Sequence, residues 1–225
     1  MAHNMVVSDS LNQLDSQLVH IYLPYKKMLG KDMDRVIAVS RQEMVKGKPE
    51  SGLTNFLADL LLEEGTSLLK GSPHNFQPDI SYFNYGGIRT FLPEGEITVG
   101  KVYELMPFEN EMVFLKLSGK QIAEFLDAIA RKGGDSVGGV RFKIADGKAT
   151  EINVGGIPLQ NNEYYWLVTN DYIAEGGDDM EMLTQRSEFV ESGKKIRNVI
   201  ISHLERLHEE GEILNVQTDE RITNE

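Results

Sequence analysis

The chain changes character at Asn84-Tyr85-Gly86-Gly87-Ile88-Arg89, where the short apolar run 80–83 gives way to a glycine pair and one arginine. This order is typical of a strand that opens into a binding loop. Glycine lets a ligand approach the backbone closely, and a guanidinium group fits phosphate or carboxylate with two hydrogen bonds. A simple hairpin turn that ends in a surface arginine would have the same sequence, so these six residues alone leave both interpretations open.

A second stretch repeats this order of features. The apolar run 164–169 predicts a strand, and it leads into Asn170-Asp171-Tyr172-Ile173-Ala174-Glu175-Gly176-Gly177-Asp178-Asp179. Between the two stretches lie Leu105-Met106-Pro107-Phe108-Glu109-Asn110, the apolar run 113–117 and Ser118-Gly119-Lys120. Two strand-to-loop units in one chain suggest two halves that face one site.

Taken in order, these motifs resemble the C-terminal domain of the 5′-nucleotidase and UDP-sugar hydrolase family. The motifs are Asn-x-Gly-Gly-Ile-Arg, Pro-Phe with an asparagine two residues on, Leu-Ser-Gly before a helix, and Asn-x-Tyr-x-Ala-x-Gly-Gly-Asp. The resemblance covers about residues 33–192. It implies an α+β fold with mixed β-sheets packed between helical layers, whereas periodicity alone predicts only a mixture of α and β.

The length of 225 residues favours a single domain. We expect residues 1–32 to form an N-terminal helical extension with a helix at 8–21, and residues 193–225 to form a C-terminal helix and a frayed polar tail. Helices are also predicted after Ser51, ending at Gly65, after the capping box Ser118-x-x-Gln121, and from Lys194 to Gly211. Strands are predicted at 36–39, 80–83, 113–117, 138–143, 150–154 and 163–169, with a hairpin turn at Asp146-Gly147, whereas 97–105 suits either a strand or a short helix.

Composition excludes several classes of function. The net charge of −12 and a pI near 4.9 give no general attraction to nucleic acid or to an anionic membrane surface. The absence of cysteine excludes disulfides, thiolate catalysis and sulfur metal ligands. No apolar run is long enough to predict a membrane span, and the start has no signal-peptide pattern. Members of the resembled family are usually exported, which implies a periplasmic or extracytoplasmic location.

The resemblance assigns ligand contacts to both strand-to-loop units. Phe108 and Tyr172 match the two aromatic positions that hold the base, and stacking on a ring contributes about 1–3 kcal/mol per base. Arg89 matches the arginine at the phosphate end, Asn84 an asparagine that contacts the nucleoside, and Asp178 the aspartate that accepts hydrogen bonds from ribose hydroxyls. The neighbouring glycines Gly86, Gly87, Gly176 and Gly177 complete the predicted substrate-binding set. The alternatives are that both rings are ordinary core residues and that Asp178 only caps its own turn.

This sequence departs from the family pattern at three places. An arginine expected near Gly47 is missing, so Lys46 or Lys48 would have to supply its charge, and a lysine offers a point charge in place of a fork. Glu109 stands where glycine is common, and Asp179-Met180 replaces a glycine and an aromatic residue. These two changes add bulk and negative charge beside the anion site, which disfavours a nucleotide phosphate relative to a nucleoside.

Catalytic residues are not predicted in this sequence. Full-length members of the family carry an N-terminal domain in which two divalent metals, held by aspartates, histidines and an asparagine, activate the attacking water. The five histidines of this chain form no Asp-x-His, Gly-Asn-His or His-x-His group, so no metal or other cofactor is expected here. The acidic group Asp178, Asp179 and Glu181 could hold a hard cation, but a solvated loop is the better expectation.

Three functions fit these observations. The first is the substrate-recognition half of a phosphohydrolase that binds a nucleoside or nucleotide and works with a separate metallophosphoesterase chain. The second is a binding module for the same ligands without any chemistry. The third is a scaffold domain that keeps the fold and has lost the ligand.

Overall fold

The computed structural model describes residues 30–74 and 76–225. The predicted helix at 8–21 lies outside this range. The helices are α1 Gly52–Leu69, α2 Val99–Leu105, α3 Gly119–Arg131, α4 Asp171–Ala174 and α5 Ile196–Glu209. The strands are β1 Val36–Ser40, β2 Ile80–Phe83, β3 Gly95–Thr98, β4 Glu111–Ser118, β5 Ser136–Gly138, β6 Val140–Ala145, β7 Lys148–Val154, β8 Ile157–Pro158, β9 Tyr164–Asn170, β10 Glu188–Lys195 and β11 Ile222–Asn224. The described helices include none that is long and apolar enough to cross a membrane.

The centre of the fold is a five-stranded mixed sheet with the order β10-β4-β9-β2-β5. Strands β2 and β9 are parallel, and the other neighbouring pairs are antiparallel. A two-stranded sheet pairs β1 with β3, and a four-stranded sheet has the order β11-β6-β7-β8. The α+β prediction with mixed sheets is therefore confirmed.

The central sheet separates two hydrophobic cores, as alternating side chains of a strand point to opposite faces. In β4, Met112 and Phe114 join the core that contains α1, α5 and the two-stranded sheet, whereas Val113 and Leu115 join the core that contains α3 and β6. The two cores therefore bury most side chains of β2, β4, β5 and β9 on both faces of the sheet.

The α1 helix continues four residues past Gly65, so the predicted end at this glycine is wrong. A Cβ atom at Gly65 would lie 3.2 Å from both Phe114 and Val168 of the sheet. This glycine thus allows close helix-to-sheet packing and does not terminate the helix. The predicted N-cap at Ser51 is confirmed by its hydrogen bond from the Thr54 amide.

The helix predicted after Ser118 has the expected capping box. Gln121 N donates to Ser118 Oγ at 3.4 Å, and Ser118 N donates to Gln121 Oε1 at 2.9 Å. The ambiguous stretch 97–105 contains both alternatives, because β3 ends at Thr98 and the Thr98 side chain caps α2.

The strand predicted at 138–143 is wrong as a single element. It divides at Gly139 into β5, in the central sheet, and β6, in the four-stranded sheet. Gly139 has φ = 74°, and a Cβ atom there would lie 2.1 Å from the carbonyl oxygen of Asp79, so glycine permits the change of sheet. The Asp146-Gly147 hairpin turn is confirmed between β6 and β7, with φ of 49° and 71°.

The C-terminal tail is ordered, which corrects the prediction that it frays. Strand β11 pairs in parallel with β6, and the Ile222 side chain is buried. The preceding Arg221 is also buried and donates two hydrogen bonds to the carboxylate of Asp59 on α1, at 2.7 and 2.8 Å. Asp219, in the same tail, is held by Arg141 of β6, whose Nη2 lies 2.7 Å from its Oδ2. The polar residues of this tail form ion pairs, which the sequence alone does not reveal.

Candidate functional site

The two predicted strand-to-loop units meet at one edge of the central sheet. Strands β2 and β9 are parallel neighbours, with Ile80 opposite Leu167, so both strands end at the same edge. Asn84 and Asn170 close these ends, and Asn170 Nδ2 donates to Asn84 Oδ1 at 3.0 Å. They are only 5% and 1% exposed, so the hydrogen bond between them is shielded from water.

A cavity of about 380 Å³ opens at this edge. It is lined by Asn84, Gly86, Gly87, Arg89, Met106, Phe108, Asn110, Asn170, Tyr172 and Asp178. Seven of the nine predicted site residues are in this lining. The other two, Gly176 and Gly177, line a shallow depression that adjoins it and shares Phe108 and Tyr172.

Asp178 links the two loops through both carboxylate oxygens. Oδ2 accepts from Asn84 Nδ2 at 2.7 Å, and Oδ1 accepts from the Tyr172 hydroxyl at 3.0 Å. The hydrogen bond to Asp178 raises the pKa of the Tyr172 hydroxyl, so the phenol remains a donor. Since each carboxylate oxygen has two lone pairs, Asp178 keeps acceptor capacity for a ligand.

The backbone holds Asp178 in an unusual conformation. Asp178 has φ = 55° and ψ = 40°, in the left-handed region, and Asp179 has φ = 60°. Lys132 donates to the Asp178 carbonyl oxygen and lies 3.6 Å from the Asp179 carboxylate. Aspartate tolerates this region better than most residues, although it has a cost there that the surrounding contacts must offset.

Two glycines allow side chains to lie directly on the backbone. A Cβ atom at Gly87 would lie 2.9 Å from Asn84 Oδ1, and one at Gly177 would lie 2.4 Å from Tyr172 Cζ. Gly86 and Gly87 form a turn of 3-10 helix at negative φ, so the hairpin turn considered for them is not present. Their contribution is the close approach, and Gly176, with φ = 91°, supplies the left-handed turn before Gly177.

Phe108 and Tyr172 are 42% and 49% exposed, which excludes the alternative that they are core residues. The Arg89 guanidinium lies 5.9 Å from the centroid of the Phe108 ring, and its Nη1 donates to the Gly86 carbonyl oxygen at 3.3 Å. Arg89 is also exposed. One cavity thus offers two accessible rings, a carboxylate and a guanidinium.

Asn110, Asn170 and Met106 line the cavity but were absent from the predicted set. Asn110 Nδ2 lies 3.4 Å from Asn170 Oδ1, which continues the chain of amides that ends at Asp178. Both asparagines stand inside the motifs quoted above, so their spacing was the available signal. Met106 had no signal besides its place beside Pro107.

The two lysines considered for the missing arginine have different roles. Lys46 Nζ donates to the carbonyl oxygens of Tyr85 and Ile88, at 3.1 and 2.6 Å, and lies 4.3 Å from the centroid of the Tyr85 ring. Lys46 therefore stabilises the loop after β2. Burial, followed by the positive charge of Arg89, lowers the pKa of Lys46. Lys48 lies 5.1 Å from the centroid of the same ring and donates to the carbonyl oxygen of Lys132.

Asp178, Asp179 and Glu181 of the predicted acidic loop do not bring three ligand atoms together. Within residues 30–74 and 76–225, the ligand atoms that come together are those of Glu63, Glu64 and His203, between α1 and α5. Arg206 already occupies that group, with Nη2 at 2.7 Å from Glu63 Oε1 and 3.0 Å from Glu64 Oε1. A guanidinium at this place neutralises the carboxylates and competes with a metal.

A family model and curated proteins match this chain in sequence. Residues 32–185 match the family model described as 5′-nucleotidase, C-terminal domain. The 5′-nucleotidase of Vibrio vulnificus is 30% identical over 133 residues, which are 57% of this chain and 24% of that protein. The trifunctional nucleotide phosphoesterase protein YfkN of Bacillus subtilis is 27% identical over 183 residues, 74% of this chain and 12% of that protein.

A solved structure gives the same result. The 5′-nucleotidase precursor from Thermus thermophilus superposes with a TM-score of 0.74 at 27% identity, over 93% of this chain and 43% of that one. The chain spans about a quarter of the length of the curated 5′-nucleotidases that it matches.

Proposed function

The chain belongs to the family of 5′-nucleotidase C-terminal domains, and from this premise we propose that it is the nucleoside- or nucleotide-recognition half of a 5′-nucleotidase-type phosphohydrolase. The observation that carries this proposal is the convergence of Phe108, Tyr172, Asp178 and Arg89 on one cavity. They offer two rings for the base, a carboxylate for the ribose and a guanidinium for the phosphate.

The base would bind at the two exposed rings. A purine or pyrimidine has two apolar faces, and each face gains by contact with an aromatic ring. Phe108 and Tyr172 stand on different loops yet line the same cavity, and each keeps nearly half of its surface accessible. A ligand that covers both rings would remove this apolar surface from water.

The ribose would bind at Asp178. Two vicinal hydroxyls can each donate to one carboxylate oxygen, and charge-assisted hydrogen bonds of this kind are stronger than neutral ones. Asn84 and Tyr172 hold the carboxylate in place from two directions, so it does not have to be ordered when the ligand arrives.

The phosphate end would face Arg89. Its guanidinium is exposed, and its hydrogen bond to Gly86 O is long at 3.3 Å, so two of its N–H edges can meet an anion. Glu109 and Asp179 add negative charge to the surroundings. We therefore expect a nucleoside 5′-monophosphate to bind no more than about tenfold tighter than its nucleoside, since an exposed ion pair contributes about 1 kcal/mol or less.

Hydrolysis would take place on a metallophosphoesterase module that supplies two divalent metals, and we expect this module as a separate chain. The metals would activate water and stabilise the developing charge on the phosphoryl group. A periplasmic or extracytoplasmic location belongs to the same proposal, since family members are usually exported.

Calorimetric titration with adenosine, AMP and UDP-glucose tests ligand recognition. Phe108→Ala removes one stacking face, and Phe189→Ala is the matched control, because Phe189 is also a partly exposed phenylalanine but lies on β10, outside the cavity lining. We expect binding of at least one ligand to the wild type and to the control, with a loss of about five- to a hundredfold in Phe108→Ala. Equal affinities of the wild type, Phe108→Ala and Phe189→Ala would contradict ligand binding at Phe108.

Co-expression with a metallophosphoesterase of the same family tests the catalytic part. Nucleotide hydrolysis that depends on both chains, and that Phe108→Ala reduces, would support the recognition half. Ligand binding without any added hydrolysis would favour the non-catalytic binding module. The absence of binding to every ligand would leave the scaffold function.

A further inference from the structure

The loop that carries Phe108 is hydrogen-bonded to the first residues of α5. Residues 106–110 join α2 to β4 and belong to no helix or strand. The Arg197 guanidinium donates to the carbonyl oxygen of Phe108 at 3.1 Å, to that of Met106 at 3.4 Å, and to the carboxylate of Glu109. Three acceptors on four consecutive residues thus share one cation.

Two further contacts complete this attachment. The Ile196 amide donates to the Asn110 carbonyl oxygen at 2.9 Å, and Ile196 itself is buried in the core. On the other side, the guanidinium of Arg197 lies 4.2 Å from the centroid of the Tyr103 ring on α2. The first two residues of α5 therefore contact the loop from Met106 to Asn110. The Tyr103 ring of α2 lies against the Arg197 guanidinium on its other side.

The chemistry of Arg197 explains why this arrangement fixes a backbone. Its side chain is 7% exposed, and a buried cation must find its partners close by or be strongly destabilising. A planar guanidinium with several donors accepts few alternative placements of the three oxygens. A lysine at this position could not bridge the same three acceptors in a fixed plane.

Glu109 gives this attachment a charge partner. The hydrogen bond from Arg197 lowers the pKa of the Glu109 carboxyl, so this residue stays ionised and paired at neutral pH. Glu109 was noted above as a departure from the usual glycine. The ion pair with Arg197 gives this acidic residue a structural role, because it helps to attach the loop to α5.

We propose that Arg197 is a positioning residue that holds the Phe108 ring where it can stack on a base. The inference rests on the proposed function. Arg197 lies beyond residues 32–185, so the match to the family model does not cover it. The residue acts through the backbone of Phe108, and it does not itself line the cavity.

The test compares Arg197→Gln and Arg197→Lys with the wild type. Arg206→Gln is the matched control, because Arg206 lies on the same helix and pairs with Glu63 and Glu64, away from the loop. Adenosine and ribose 5-phosphate are titrated in parallel, since only adenosine carries a base. We expect Arg197→Gln to weaken adenosine about five- to a hundredfold and ribose 5-phosphate less than twofold, with Arg197→Lys between Arg197→Gln and the wild type.

A double variant separates positioning from general damage. In the Phe108→Ala background, Arg197→Gln should weaken adenosine no further, because the ring on which it acts is gone. An additive effect in the double variant, or an equal loss for both ligands, would overturn the proposal. This comparison is decisive even where ribose 5-phosphate binds too weakly to titrate.

Amide hydrogen exchange of the unliganded protein tests the attachment without any ligand. Arg197→Gln should accelerate exchange in peptides that cover 106–110 and leave those from β4 and β9 unchanged, which also shows that the variant folds. Unchanged exchange at 106–110, with adenosine still bound, would reject the Arg197 inference alone. No binding of adenosine to the wild type would instead reject the proposed function, and the base-stacking role of Arg197 with it.

Discussion

Asn84 Nδ2 donates to Asp178 Oδ2 at 2.7 Å, across a separation of 94 residues in the chain. This contact joins the loop after β2 to the loop after β9, and it places a carboxylate above a glycine pair. The buried amide of Asn170 supports it from behind through its bond to Asn84 Oδ1. The cavity lining therefore contains a preorganised acceptor.

Removal of the Asp178 charge should weaken adenosine binding. We expect Asp178→Asn to cost about 1.5–3 kcal/mol in the free energy of binding, because hydrogen bonds to a charged acceptor are lost. Calorimetry with adenosine and 3′-deoxyadenosine measures it, and the loss should be smaller for the deoxy analogue. Glu181→Gln, a nearby exposed acid outside the cavity lining, is the control. The same loss for both ligands would mean that Asp178 does not contact the ribose hydroxyls.

Gly177→Ala should displace the Tyr172 ring. The new methyl group would lie 2.4 Å from Tyr172 Cζ, and the ring can turn outward because it is half-exposed. We expect a decrease of about 1–3 kcal/mol in the free energy of unfolding, together with a loss of about tenfold in adenosine affinity. Gly30→Ala, where nothing lies within 4 Å, should leave the adenosine affinity unchanged. Unchanged adenosine binding in Gly177→Ala would show that the ring position is immaterial.

Arg221→Gln should release the C-terminal tail. Loss of the two bonds to Asp59 would leave acids without their cation, and we expect a decrease of about 2–3 kcal/mol in the free energy of unfolding, since Asp59 is partly solvated. Urea denaturation measures the decrease, and limited proteolysis should cut the tail first. Arg35→Gln removes an exposed ion pair with Glu205, away from the tail, and serves as control. If the tail of Arg221→Gln remains resistant to proteolysis, Arg221 does not hold the tail in place.

Stability should depend on pH through Asp135. Burial raises the pKa of Asp135 from 3.8 to about 6, despite hydrogen bonds from Ser136 N and the Tyr82 hydroxyl. The folded state then binds the proton more tightly than the unfolded state, so this group lowers the free energy of unfolding as the pH rises from about 4 to about 6. The difference in pKa corresponds to about 3 kcal/mol.

Asp135→Asn removes this titration and isolates it from the other groups. The free energy of unfolding of the wild type, measured relative to Asp135→Asn by urea denaturation, should fall between pH 4 and pH 6 and level off above. Glu163→Gln replaces an exposed carboxyl and should follow the wild type. Parallel profiles for the wild type and Asp135→Asn would show that Asp135 titrates normally.

The sequence predicted the parts of the fold that local patterns determine. The capping box at Ser118 and the turn at Asp146-Gly147 were visible because each depends on neighbouring residues. Gly65 and Gly139 were misjudged, since their reasons lie in close approaches to Phe114, Val168 and the Asp79 carbonyl oxygen. Such contacts join residues distant in sequence, and no local pattern reveals them.

The site was predictable to the extent that its motifs are contiguous. The two loops after β2 and β9 carried Asn84, Arg89, Tyr172 and Asp178 in recognisable order, and the structure brings all four to one cavity. Arg197 was not visible, as its three acceptors lie about 90 residues earlier in the chain. The ligand contacts themselves remain predictions.

A crystal structure of the chain with adenosine tests the central claim most directly. The account predicts that the base lies against the rings of Phe108 and Tyr172 and that ribose hydroxyls lie within hydrogen-bond distance of the Asp178 carboxylate. Adenosine bound elsewhere on the surface, or an empty cavity at ligand concentrations that saturate binding in solution, would contradict it.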